Sequence, residues 1–283
     1  MIAKNERNLF LSTVCSMLTL LFASCFVFTF TSCLTSTTSA GAVGANRNQL
    51  LLVSEATMEQ SANESYAQVL SEAQAAGTLN TDAAMTNRVR VIADRLIRQV
   101  AVFREDALSW NWQINVINDE TVNAWCMPGG KIVVYTGIIK SLNLTDGELA
   151  AVMGHEISHA LKEHSREQAS QDALMNVGIF AIAQLVGLKD LGTAALALAA
   201  QYTIALPFSR SHETEADHMG TELMARAGYN PYEAVNIWKK MSELSGSSVP
   251  EILSTHPSHE TRIKDLQSIA GKVYYLYEAA PKA

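Results

Sequence analysis

Residues 145–164 read TDGELAAVMGHEISHALKEH, and this stretch decides the fold. Thr145 and Glu148 have the spacing of a capping box, in which the threonine caps a backbone N–H and the glutamate reaches back. The spacing predicts a helix from Asp146 to about His164. Residues four apart share a helical face, so His155 and His159 point the same way. Glu156 is turned about 100° from His155. Gly147, Ala151, Gly154 and Ser158 form a small-residue stripe beside the histidines, which predicts the close approach of a second helix.

Two imidazoles on one face can hold one metal ion, and zinc suits them. Glu156 then stands beside the metal, placed to take a proton from a water that the metal acidifies. A catalytic zinc site usually takes three protein ligands. Lys162 and Ser165 stand where the longer metzincin pattern places glycine and histidine, so the third ligand must come from elsewhere. Glu213-Thr214-Glu215-Ala216-Asp217 is the candidate. Glu213 and Asp217 share a face, with Glu213 as ligand and Asp217 as acceptor for the outer N–H of a ligand histidine. Glu215 points away. Helical carboxylates also serve as a plain solvated face, and the spacing alone leaves both readings open.

Outward from this centre the chain is mainly helical. Helices are expected over Ser54 to about Ala76, Asp82 to about Phe103, Ser209 to about Ala227, from Asn230-Pro231 onward, and over Ser258 to about Ile269. Alternation of Trp110, Trp112, Ile114 and Val116 predicts a strand, and Lys131 to Tyr135 a second, with Pro128-Gly129-Gly130 as a turn. The fold class is therefore mainly α with a small antiparallel β-sheet, over a domain at 54–271 and a C-terminal tail at 272–283. Residues 173–206 are strongly apolar, with Lys189 and Asp190 the only charges. They are expected to form a buried hairpin or a lid, with membrane insertion as the alternative.

Residues 1–33 read as a signal peptide or membrane anchor: Lys4 and Arg7 precede an uncharged apolar run from Leu9 to Phe30. Three of the four cysteines, Cys15, Cys25 and Cys33, lie there, which excludes a disulfide framework in the body. Cys126 reads as a small buried hydrophobe. Cys33 closes the apolar run and is expected to carry a lipid, with Cys25 as the rival. Residues 34–53, rich in Ser, Thr, Gly and Ala, read as a flexible tether. A net charge of −7 without a basic cluster argues against nucleic acid as a partner.

Four ordered segments carry a resemblance: Asn123 to Thr136, the helix at 155–159, Ser209 to Gly220, and Thr255 to Ile263. Together they resemble the gluzincin metallopeptidase family of the CAAX prenyl protease, HtpX, BepA and LoiP. The resemblance implies a zincin fold with one zinc ion, and Glu213 as third ligand with Asp217 behind a ligand histidine. It places His256 and Arg262 near the zinc. His256 is then a regulatory ligand in the metal's open position or, like Arg262, a catalytic group stabilising the oxyanion. It also implies an edge strand that pairs with extended substrate, read here as Lys131 to Tyr135 with Val133, beside Asn123 and Ala124. The expected function is zinc-dependent endopeptidase action on misfolded or misassembled cell-envelope proteins, from a lipid tether on the periplasmic side of a bacterial membrane. The alternative is a zinc-containing, chaperone-like binding protein with little or latent activity. His164, His212, His218 and His259 are read as surface or structural.

Overall fold

The computed structural model describes residues 34–175, 208–244, 250–256 and 261–283. The leader with Cys25 and Cys33, the stretch 176–207, most of the 245–250 loop and His259 lie outside the described residues.

Strands β1 (Leu34–Thr35) and β2 (Gln49–Leu50) form a two-stranded antiparallel ribbon. Helices α1 (Glu55–Ala75) and α2 (Ala83–Ile97) begin where the side chains of Ser54 and Asp82 accept N-terminal amides. Strands β3 (Gln113–Ile117), β4 (Ala124–Met127) and β5 (Lys131–Tyr135) follow. Then come α3 (Thr136–Ser141), α4 (Asp146–Leu161), α5 (His164–Met175), α6 (Arg210–Arg226), α7 (Glu233–Leu244), α8 (Glu251–Thr255) and α9 (Arg262–Ala279).

The fold class holds, with one refinement. The three-stranded sheet is mixed, in the order β3-β5-β4, with β3 parallel and β4 antiparallel to β5. The turn at Pro128-Gly129-Gly130 joins β4 to β5, so the two strands legible in the sequence are not hairpin partners. Gly130 has φ +80°, and a Cβ there would meet the Trp112 ring at 2.6 Å. The supposed tail is also corrected: α9 runs through residue 272 to Ala279, and Val273 is buried.

Helix α4 is the spine. Its capping box is present: the Glu148 amide donates to Thr145 Oγ1 at 3.1 Å, and the Thr145 amide to Glu148 Oε2 at 2.9 Å. Helix α6 packs along it where two glycines meet. A Cβ on Gly154 would lie 2.9 Å from the Gly220 carbonyl oxygen, and one on Gly220 2.7 Å from the His155 amide nitrogen. The predicted stripe thus does bring the Glu213 helix close, whereas Gly147 meets the side chain of Glu233 on α7.

Residues 34–53 are not a loose tether; they pack against α4 and α5. Lys162, fully buried at the end of α4, donates to Ser36 Oγ and to the carbonyls of Ala45 and Arg47 at 2.8–3.2 Å. Burial lowers its pKa to about 8. The segment buries Ala45 and Leu51, and its polar backbone and side chains supply the oxygen atoms that a buried ammonium requires.

Glu167 on α5 is buried as well, which pushes its carboxyl up. Bonds from Arg47, His212 and Gln49 outweigh this and hold it well below its ordinary value of 4.5. A depressed folded pKa contributes stability that is full above the unfolded value and lost as pH falls through the folded one. Acid unfolding followed by circular dichroism should therefore begin to lose stability below about pH 4.5. Glu167→Gln should flatten that slope.

Candidate active site

His155, Glu156 and His159 lie on α4, Glu213 and Asp217 on α6, His256 just after α8, and Arg262 at the start of α9. One ligand atom from each of His155, His159, Glu213 and His256 falls within 4.8 Å of the others, and all four residues are buried. The two Nε2 atoms of His155 and His159 are 3.1 Å apart. Glu213 lies 3.5 Å from His155 Nε2 and 3.4 Å from His159 Nε2. His256 Nδ1 is 3.2 Å from His155 Nε2 and 3.0 Å from Glu213 Oε1.

These separations test the donor set against zinc. Bonds of about 2.0–2.1 Å in a tetrahedron leave ligand atoms roughly 3.3 Å apart. The 3.0–3.5 Å pairs fit, with Glu213 facing His155 through Oε2 and His159 and His256 through Oε1. His155 Nδ1 faces Asp217 Oδ1 at 2.9 Å and, as N–H, donates to it. Its Nε2 then keeps a lone pair directed into the cluster. Burial pushes the His155 imidazole down, but Asp217 and Glu213 outweigh this and raise it to about 9. The pocket therefore favours positive charge at this point.

Asp217 is fixed from behind. Arg262 Nε and Nη2 donate to its two oxygens at 2.7 and 2.8 Å, and Arg262 Nη1 lies 2.8 Å from Glu213 Oε2. The guanidinium carbon stacks 3.3 Å from the Trp238 ring centre. On the other side, Phe208 stacks on His159 with ring centroids 4.0 Å apart.

A cleft runs past this cluster, lined by Glu156, His159 and His256 on one side and Asn123 to Met127 on the other. The model of peptidase family M48 matches residues 83–270. The chain belongs to this family. It is 39% identical over 154 residues to the mitochondrial metalloendopeptidase OMA1 of Arabidopsis thaliana, covering 54% of this chain and 30% of the relative. It is 35% identical over 158 residues to the OMA1 of Schizosaccharomyces pombe, covering 55% and 46%. It is 30% identical over 167 residues to the beta-barrel assembly-enhancing protease of Escherichia coli, covering 56% and 34%. The chain thus spans less than half the length of each of these relatives.

In this M48 chain some expectations about the site change. Val133 lies on the central strand β5, paired on both sides and fully buried, so it is not a substrate-pairing residue. Among the described residues, the sheet edge that faces the cleft is β4. Arg262 is 1% exposed and engaged with Glu213 and Asp217, so its guanidinium is taken up by these two carboxylates rather than presented to the cleft. Asn123 lines the cleft, but its amide donates to Glu251 and accepts from the Ala124 N–H, while Ala124 begins the edge. Of the two readings for His164 and His212, surface or structural, burial favours the structural one; His164 Nδ1 is 2.9 Å from His159 Nδ1. His218 pairs with Asp265 and is partly exposed, as expected. Arg47 and His164 are the residues that sequence reasoning missed, and neither has a spacing signal to betray it.

Proposed function

We propose that this chain is a zinc-dependent endopeptidase, with His155, His159 and Glu213 as ligands and Glu156 as general base. The convergence of those three side chains, with the Glu156 carboxylate beside them at the edge of β4, carries the reading. Zinc in this site would acidify a water and polarise the scissile carbonyl. Glu156 takes the proton of the attacking water and passes it to the leaving nitrogen. Burial pushes its carboxyl up, which makes it a stronger base than an exposed glutamate. Asp217 and Arg262 hold His155 and Glu213 in place.

The edge of β4 would bind extended substrate by backbone pairing. The Tyr135 amide donates to the Asn123 carbonyl. Alternation along an antiparallel pair then directs the Trp125 amide to β5 and the Cys126 amide to the open edge.

Misfolded or misassembled cell-envelope proteins are the proposed substrates. This rests on the leader, on the expected lipid at Cys33, and on similarity to a beta-barrel assembly-enhancing protease. Among the described residues no helix is long and apolar enough to cross a membrane.

Elemental analysis and casein cleavage by the full chain test the reading. About one zinc per chain is expected. A chelator should abolish cleavage, and added zinc should restore it. Cys126→Pro should keep its metal and cut more slowly. Cleavage that survives complete removal of metal would sink the proposal.

A second reading is favoured by His256, whose Nδ1 sits at the fourth corner of the cluster. A catalytic site needs that corner open for water. His256 is read as a latch, and His256→Ala should raise cleavage, by about tenfold if the open form is roughly a tenth of the population, with zinc content unchanged. A fall in rate would instead mark His256 as an oxyanion donor.

A further inference from the structure

The two ligand histidines are supported differently. His155 rests directly on Asp217, which Arg262 grips. Among the described residues no carboxylate touches the outer nitrogen of His159. That nitrogen, Nδ1, faces His164 Nδ1 at 2.9 Å, and His164 Nε2 is 3.2 Å from Glu215 Oε2.

Beyond Glu215 stands Arg47. Its Nε and Nη2 donate to the two Glu215 oxygens at 2.8 and 2.7 Å, and its Nη1 and Nη2 to the two Glu167 oxygens, both at 2.7 Å. Glu167 in turn pairs with His212 at 3.2 Å, and the His212 ring stacks on His164 with centroids 4.4 Å apart and planes 17° apart. His164 is fully buried, so its ring is fixed by this cage and not by solvent.

The proton positions follow from the ends of the chain. With His159 Nε2 on a metal, its Nδ1 carries the hydrogen and donates to His164 Nδ1. His164 Nε2 then carries the hydrogen and donates to Glu215, whose two oxygens also accept from Arg47. This is the carboxylate–histidine–metal arrangement with one extra imidazole inserted.

We infer that His164 is a positioning residue for the ligand His159, and that Arg47 of the N-terminal segment closes the carboxylate cage that orients it. Each ligand histidine thus has its own outer chain ending on an arginine: Asp217 and Arg262 for His155, His164, Glu215 and Arg47 for His159. The segment expected to be a tether becomes part of the metal centre. The inference rests on the metal-site reading above.

The test is zinc affinity by chelator competition on the full chain, together with the visible spectrum of the cobalt-substituted protein. His164→Leu should bind zinc about 10–100-fold more weakly, and its cobalt bands should shift. His164→Asn, whose Oδ1 can stand where Nδ1 stood, should recover most of the affinity. Arg47→Ala, altered on a partly exposed side chain, should weaken zinc binding in the same direction with far-UV circular dichroism unchanged. Should His164→Leu not fold, Arg47→Ala and His164→Asn decide. Wild-type affinity and an unshifted cobalt spectrum in the folded variants would overturn the inference while leaving the metal site intact. A wild-type chain that binds no metal would overturn both.

Discussion

Glu156→Gln should bind zinc as the wild type does and lose peptide cleavage by about 10^2–10^4-fold, the range expected for removal of a general base. That corresponds to roughly 2.7–5.4 kcal/mol of transition-state stabilisation. The substitution is nearly isosteric, and Glu156 is no member of the four-residue cluster, so metal content is the control that isolates the proton-transfer step. Glu156 is 3% exposed, and its Oε1 has no hydrogen-bond partner among the described residues. His256 Nε2 faces this oxygen at 3.5 Å; a buried carboxylate oxygen without a hydrogen bond is costly, and a site that retains one leaves it placed to receive a proton. The measurement is steady-state cleavage of a fluorogenic peptide beside zinc content for both proteins. Retained zinc with undiminished cleavage would assign the base to another group. Lost zinc would mean that Glu156 supports the metal itself.

Gly220→Val should have the second largest effect, on metal binding and folding together. The atoms that a Cβ would strike, His155 N at 2.7 Å and Gly154 C at 2.8 Å, are backbone and cannot rotate away. The clash can be relieved only by moving α6 off α4. Overpacking of this kind costs typically about 1–3 kcal/mol. The geometric cost is greater still, because Glu213 and Asp217 ride on the moving helix and His155 and His159 on the fixed one. Zinc affinity should fall by about 100-fold or more, if the ligand shell loses one of its three protein contacts. Gly147→Ala supplies the contrast. There the nearest atom, at 2.7 Å, is Cγ of the flexible Glu233 side chain, which can swing aside. Its zinc content should be unchanged. Thermal unfolding and elemental analysis of the two variants check the pair, and equal tolerance at both positions would refute the account of the helix contact.

The local parts of this protein are legible along the chain. The capping box, the two histidines on one face and the small-residue stripe are set within a few turns of α4, and Glu213 and Asp217 within one turn of α6. Helical periodicity is a short-range property, so these parts survive into the fold unchanged. The tertiary structure decided the rest. Alternation identifies a strand but not its neighbours, so only the fold shows that β5 is central and β4 is the edge. A helix continued through residue 164 would turn the His164 side chain about 140° away from that of His159, since residues five apart are not helical neighbours. The chain instead breaks at Glu163, which adopts φ +52° and is held by Arg104 and Arg166, and α5 restarts with the His164 ring against His159. Arg47 lies more than a hundred residues before the acidic groups it joins. Long-range pairing of charges depends on which surfaces the core brings together, and no spacing along the chain records that.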